Sequence, residues 1–337
     1  DAAYPWISAL PNSGLLFIGF LSYASNLASP TTLSYPNAFV YSLSENSISR
    51  LTQRSAIAET NATSDSASVS DDGSLVAFTS SASNLVADDT NFERDIFLYN
   101  HASGAISLIN RAVGGALGDG DSYSPVMSAD GSTVVYQSTA TNLVVGDTNA
   151  QRDIFAYDVA SGTTSRVSLD GTGAQIASRS SEPSISADGS IVAFTTLSDE
   201  LVEGDTNTKD DVYVKNRNSG EVTRVSLGSQ GQQAGTHCLT PSISASGGYV
   251  VFATGGTLTD ADTNDATDIY LRDLTLNQTS LVSYASDGEL ADGNSYLPSV
   301  SSDGRYVVFY SIATNLVPGD ANDAGDVFLR DRTLGST

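Results

Sequence analysis

Basic residues are scarce in this chain. Of 337 residues, 15 are Lys or Arg against 39 Asp or Glu, and the formal net charge is −24. Lys209 and Lys215 are its only lysines. So anionic a surface repels a phosphate backbone and offers no cationic patch to anionic lipid, which argues against nucleic acid as a partner. Cys238 is the sole cysteine, so no intrachain disulfide is possible. The two histidines, His101 and His237, cannot make a histidine zinc cluster. Long apolar runs are missing too. The longest, Gly14 to Phe20, is far too short to span a bilayer, and no basic stretch precedes it as in a signal peptide. Membrane insertion is therefore not expected, and Asp1 reads as a mature or trimmed start. Hydrophobic residues still form 40% of the chain, enough for a packed core. Little lysine, with abundant Ser, Thr, Asn, Asp and Gly, suits an extracellular, cell-surface or periplasmic location.

What is present is a repeat. The turn Asp72-Gly73 recurs as Asp130-Gly131, Asp188-Gly189 and Asp303-Gly304, with Ser246-Gly247 and Ser13-Gly14 at equivalent stations. Six units result, at approximately 1–54, 55–112, 113–170, 171–228, 229–285 and 286–337. No linker or composition break separates them, so one domain is expected. Each unit reads as four short strands. In the third, Pro125 to Ser128 leads to the Asp130-Gly131 turn, and Thr133 to Ser138 is apolar and β-branched. Asp153 to Tyr157, the Ser161-Gly162 turn and Thr164 to Ser168 complete it. Asp-Gly and Ser-Gly between β-prone runs signal hairpins, because Gly accepts positive φ without steric cost. No stretch sustains a 3.6-residue apolar period, so little helix is predicted.

Four antiparallel strands repeated six times predict an all-β, six-bladed β-propeller. Pro183-Ser184-Ile185-Ser186-Ala187-Asp188-Gly189 followed by Val192-Ala193-Phe194 resembles the TolB-like propeller repeat. The resemblance covers units two to six, while unit one is degenerate. It implies the blade fold and a tendency to bind protein or glycan, and carries over no catalytic residue. The fourth strand of unit six would begin near Thr337. The sixth blade is thus expected either to lack its outer strand or to be completed by further chain. An open edge there would permit edge-mediated association in place of a monomer.

The sharpest motif lies between the second and third strands. Five units carry Asp-x-Asn-x-x-x-Asp: Asp89/Asn91/Asp95, Asp147/Asn149/Asp153, Asp205/Asn207/Asp211, Asp262/Asn264/Asp268 and Asp320/Asn322/Asp326. Unit one has Thr31, Leu33 and Asn37 instead. Calcium takes carboxylate, amide and backbone oxygens, and this spacing can fold round one ion, giving up to about five sites. The spacing resembles the start of an EF-hand loop but lacks its fixed Gly and distal Glu. The competing reading is an Asx-turn that satisfies its own backbone.

Long Gly-rich loops join successive units. Four positions before the recurrent Pro stand Asp121, Arg179, His237 and Asn294, and Tyr123 and Tyr296 lie two before it. With Glu182 these are the candidate ligand-reading residues, against the alternative of solvated loop and packing positions. Cys238 replaces Ser122, Ser180 and Ser295, and adjacent residues on an extended chain point apart, so a His237–Cys238 dyad is not expected.

Two functional readings follow. One is a secreted or surface-exposed, calcium-stabilised propeller that binds protein or glycan. The other is a carbohydrate-active enzyme, a polysaccharide lyase or glycoside hydrolase, with its site on the loop-rich face. An enzyme should show an off-pattern cluster of acid, base and Arg, and Arg179, Glu182 and His237 are the off-pattern residues.

Overall fold

The structure is a computed structural model that describes residues 2–7, 17–24, 27, 35–43, 45–52, 60–322 and 324–337. The Ser13-Gly14 turn and the Thr31 and Leu33 stations lie outside them. Two compact units are present, Asp1–Val167 and Ser168–Thr337.

The first unit contains three four-stranded antiparallel sheets. They comprise β1 (Ala2–Ile7), β2 (Phe17–Ser22), β3 (Asn37–Ser42) and β4 (Ser47–Arg50); β5 (Ser64–Val69), β6 (Leu75–Ser80), β7 (Asp95–Asn100) and β8 (Ala105–Leu108); and β9 (Ser122–Met127), β10 (Thr133–Ser138), β11 (Asp153–Asp158) and β12 (Thr163–Arg166). The second unit contains β13 (Ser180–Ile185), β14 (Ile191–Thr196), β15 (Asp211–Asn216) and β16 (Val222–Arg224); β17 (Cys238–Ile243), β18 (Tyr249–Thr254), β19 (Asp268–Asp273) and β20 (Gln278–Leu281); and a three-stranded sheet of β21 (Ser295–Val300), β22 (Tyr306–Ser311) and β23 (Asp326–Asp331). Among the described residues there is no helix, and none long and apolar enough to cross a membrane. Every sheet keeps chain order, as hairpin connections require.

The expected turns have a common construction. In Ser-x-Asp-Gly the Asp accepts from the Ser hydroxyl and from the amide two residues on, as Asp188 does from Ser186 Oγ (2.7 Å) and Ser190 N (3.0 Å). Asp72, Asp130 and Asp303 repeat the pattern. The following Gly sits at φ near +70°, for example Gly304 at 72°. A Cβ there would also lie 2.5 Å from the Tyr249 ring of the preceding repeat. Glycine is thus required twice over at this point.

Each repeat is pinned by one aromatic pair across its second and third strands. Phe78–Phe97, Tyr136–Phe155, Phe194–Tyr213, Phe252–Tyr270 and Phe309–Phe328 are directly opposite in register. They stack with ring centroids 5.5 to 6.3 Å apart. Aliphatic residues on the same strands pack onto the next repeat: Val251, Ile269 and Leu271 share a core with Val307, Phe309 and Phe328. Backbone bonds reinforce the stacking. Asp71 N donates to Ala129 O and Ala187 N to Ala245 O, joining equivalent points of successive repeats.

The sixth sheet ends at β23, as expected among the described residues. Its outer side carries only a bridge from Asp331 to Ser336. The apolar face that repeat five buries is open here. Val327 is 72% and Leu329 52% exposed, whereas Ile269 and Leu271 are at most 1% exposed.

Candidate functional site

In repeats three to six the first strand carries a bulge before its Pro. The residue there, Ser124, Glu182, Thr240 or Leu297, has φ between 49° and 55°. The ladder skips at that point, between Ser181 and Ser184 for instance. A bulge re-aims its side chains. The loops leading to these strands are ordered turns, closed by bridges Arg111–Leu117, Leu169–Gln175, Leu227–Gln233 and Tyr284–Leu290.

The acidic loops and these inter-repeat loops form one construction. In every acidic loop the Asn carbonyl accepts the amide two residues on: Asn91 from Glu93, Asn149 from Gln151, Asn207 from Lys209, Asn264 from Ala266 and Asn322 from Ala324. This is the Asx-turn geometry. The Asn amide nitrogen donates to the last Asp of the motif in four loops, at 2.9 to 3.3 Å. It also reaches the next inter-repeat loop, at Gly118 O, Ala234 O and Ala291 O. The loop is tied a second time by the residue four before the Pro. Asp121 Oδ1 accepts from Arg94 N, His237 Nδ1 from Asp210 N and Asn294 Oδ1 from Thr267 N, at 2.8 to 3.0 Å. Three candidate ligand readers therefore share a structural job.

The others are placed as follows. Tyr123 donates to Asp121 at 2.5 Å and lies under the Arg94 guanidinium. Burial and the Asp121 carboxylate push the Tyr123 hydroxyl up to about 12. Burial opposes ionisation of Asp121, but the Tyr123 hydroxyl and Arg94 amide hold its carboxyl below the usual range. Glu182 Oε2 accepts from Thr240 N of the next repeat (2.7 Å) and from Thr195 Oγ1. Tyr296 is 37% exposed, beside exposed Leu297.

Arg179 and His237 converge on one residue that the sequence did not single out. Arg179 donates through both terminal nitrogens to Asp210, at 3.1 and 3.0 Å. His237 Nδ1 lies 2.9 Å from Asp210 Oδ2. The Asp210 side chain is 6% exposed, while those of Arg179 and His237 are 41% and 49% exposed. A buried carboxylate thus holds two exposed cation-forming groups side by side. Cys238 next to them is fully buried, and burial pushes its thiol up to about 12. It occupies the station of Ser122 and Ser295, which bond a serine on the second strand.

In repeats two to five the first and last Asp of the acidic motif approach one another, and what lies between them differs by repeat. In repeat three Arg166 is 3.4 Å from Asp147 and 3.8 Å from Asp153. In repeat four Arg224 is 2.8 Å from Asp205 and 3.7 Å from Asp211. All six of these side chains are 6% exposed or less. Arg166 stands opposite Phe155 and Arg224 opposite Tyr213. In repeats two and five that register position is leucine, Leu108 opposite Phe97 and Leu281 opposite Tyr270. Asp89 and Asp95 are 6% and 0% exposed, and Asp262 and Asp268 7% and 0%. Burial, with the neighbouring Asp charge adding to it, pushes Asp95 and Asp268 up to about 6 although Asn110 and Ser283 donate to them. Tyr213 and Tyr270 hydroxyls donate to Asp205 and Asp262, and repeat two has Phe97 at that station. In repeat six Asp320 and Asp326 are half-buried, with no fourth strand described beside them. The alternation was legible: the arginine or leucine is always the thirteenth residue after the last Asp.

No family model and no curated protein matches the sequence. Solved structures do. A prolyl endopeptidase matches with TM-score 0.58 and 13% identity, over 99% of this chain and 42% of that one. The β-propeller domain of the Trilobed protease from Pyrococcus furiosus, described as having an open velcro topology, gives 0.55 and 11%, over 98% and 82%. TolB from Acinetobacter baumannii gives 0.49 and 13%, over 94% and 64%. The chain therefore spans less than two thirds of that TolB and of the endopeptidase. At such identities the likeness shows the fold alone, a β-propeller.

Proposed function

We propose that the chain is a binding module acting outside the cytoplasm, whose protein or glycan partner is read by the bulged first strands and the inter-repeat loops before them. One observation carries this. A constant frame, the bulge, the Pro and the tied acidic loop, displays a different side chain at each repeat. In the second unit the displayed residues include Arg179, His237, Leu239, Tyr296 and Leu297, all more than a third exposed. Exposed aromatic and arginine side chains on a rigid scaffold are the usual anchors of recognition. Glycan and protein arrays test it. A bound partner should lose at least about tenfold in affinity with Leu297→Ala or Tyr296→Ala, with melting unchanged. Unchanged affinity in both variants would refute the reading.

A second reading is favoured by Arg179, Asp210 and His237. The His237 ring, whose Nδ1 accepts from the Asp210 amide, presents Nε2–H as a donor beside the Arg179 guanidinium. Two such donors suit the carboxylate of an acidic sugar and the negative charge that builds on it when such a sugar is cleaved. Incubation with anionic polysaccharides, followed by product analysis, decides it. Cleavage lost in His237→Ala supports a lyase or hydrolase, and no cleavage leaves the binding module alone.

A further inference from the structure

We propose that repeats two and five each bind one hard divalent cation of the calcium type, between Asp89 and Asp95 and between Asp262 and Asp268, in the place that Arg166 and Arg224 fill in repeats three and four. The inference goes beyond the binding-module reading and does not depend on it. It narrows the expectation of five calcium loops to two.

Two paired observations carry it. The first is the exchange at one register position. Where the fourth strand supplies arginine, the buried carboxylates are neutralised from within the repeat. Where it supplies Leu108 or Leu281, among the described residues no cationic side chain lies within ion-pair distance of either carboxylate pair. The Arg111 charge acts on Asp89 at longer range, but its ion pair is with Asp88, at 2.6 Å, and that carboxylate is exposed. Two buried carboxylates with no ion-pair contact are costly, and a cation between them removes the cost. The second observation is the orphaned oxygens. Asp89 Oδ1, Asp95 Oδ2 and Asp268 Oδ2 are buried and accept no hydrogen bond. Their remaining oxygens are used: Asn110 donates to Asp95 Oδ1, Ser283 to Asp268 Oδ1 and Tyr270 to Asp262 Oδ2. Asp153 Oδ2 and Asp211 Oδ2, the equivalents of the orphans, are the atoms that face arginine. At repeat five a surface cavity is lined by Leu281 and by both chain neighbours of Asp262, Ala261 and Thr263. Two carboxylates with water completing six to eight oxygens imply modest affinity, in the range of extracellular modules.

Calorimetry of the chelator-stripped chain with calcium chloride tests this. Wild type should bind two ions per chain. Leu108→Arg and Leu281→Arg should each remove one, and the double variant should bind none. Arg166→Leu should gain one. The introduced arginines copy repeats three and four, so cooperative melting is expected to persist. Should an arginine variant not fold, Asp95→Asn and Asp268→Asn, which preserve volume, decide the same question. No binding, five ions per chain, or unchanged stoichiometry in folded double variants would overturn the proposal.

Discussion

Single residues carry several of the consequences. Gly304 meets two demands, a left-handed backbone and contact with the Tyr249 ring. Gly304→Ala should therefore destabilise by about 2 kcal/mol or more, the sum of backbone strain and forced repacking. Denaturant unfolding checks it, and a loss under about 0.5 kcal/mol would show that neither demand is real. Cys238 offers a second measurement. Its thiol is buried and pushed up to about 12, so at about pH 8 it should resist thiol reagents until the chain unfolds. Labelling at the rate of a free thiol would contradict that burial. Asp331 sets an acid limit. Its bonds to Arg305 hold it at about 2. A depressed carboxyl stabilises above its unfolded value near ~3.9 and loses that contribution as pH falls toward 2. Arg305→Ala should flatten this part of the acid-unfolding profile; an identical profile would remove Asp331 as a contributor.

At the scale of strands and turns, the turns announced themselves. Ser-x-Asp-Gly encodes a hairpin locally, through its own side-chain bonds and one positive φ, so the repeat and its strands were legible without tertiary knowledge. The bulges were not, because the residue at positive φ varies from Ser124 to Leu297 and only the cross-strand register reveals the skip. The acidic loops were half legible. Asp and Asn spacing fits an ion cage and an Asx-turn alike, and the side chain that separates the repeats stands on another strand. Asp210 escaped notice because its partners, Arg179 and His237, are far away in sequence. Among the described residues β23 differs from its counterparts in having no neighbour along most of its outer side. Its amides that point away from β22 should exchange with deuterium faster than those of β19, which is paired on both sides. Equal protection would mean that another strand covers that edge in solution.

For the whole molecule, charge is the dominant quantity. The −24 began as a bulk figure arguing against nucleic acid. Some of it is now located: the acidic loops of repeats three and four carry their own arginines, and those of two and five do not. Most remaining acidic groups are solvated and repel one another over distances that salt shortens. Raising ionic strength from about 0.01 M to about 0.15 M shortens the screening length from ~30 Å to ~8 Å. With chelator present, the melting temperature should rise over that range. A fall would mean that surface ion pairs such as Arg94–Asp65 outweigh the repulsion.

One feature of the stacking bears on tolerance to substitution. The bonds from Asp71 to Ala129 and from Ala187 to Ala245 run from main chain to main chain. They ask only that a peptide group be present, never a particular amino acid. Descendants of such a chain can exchange almost every residue at the seams while each repeat still meets its neighbour. The same fold can then be built from sequences as different as those of the propellers it matches, 11 to 13% identical.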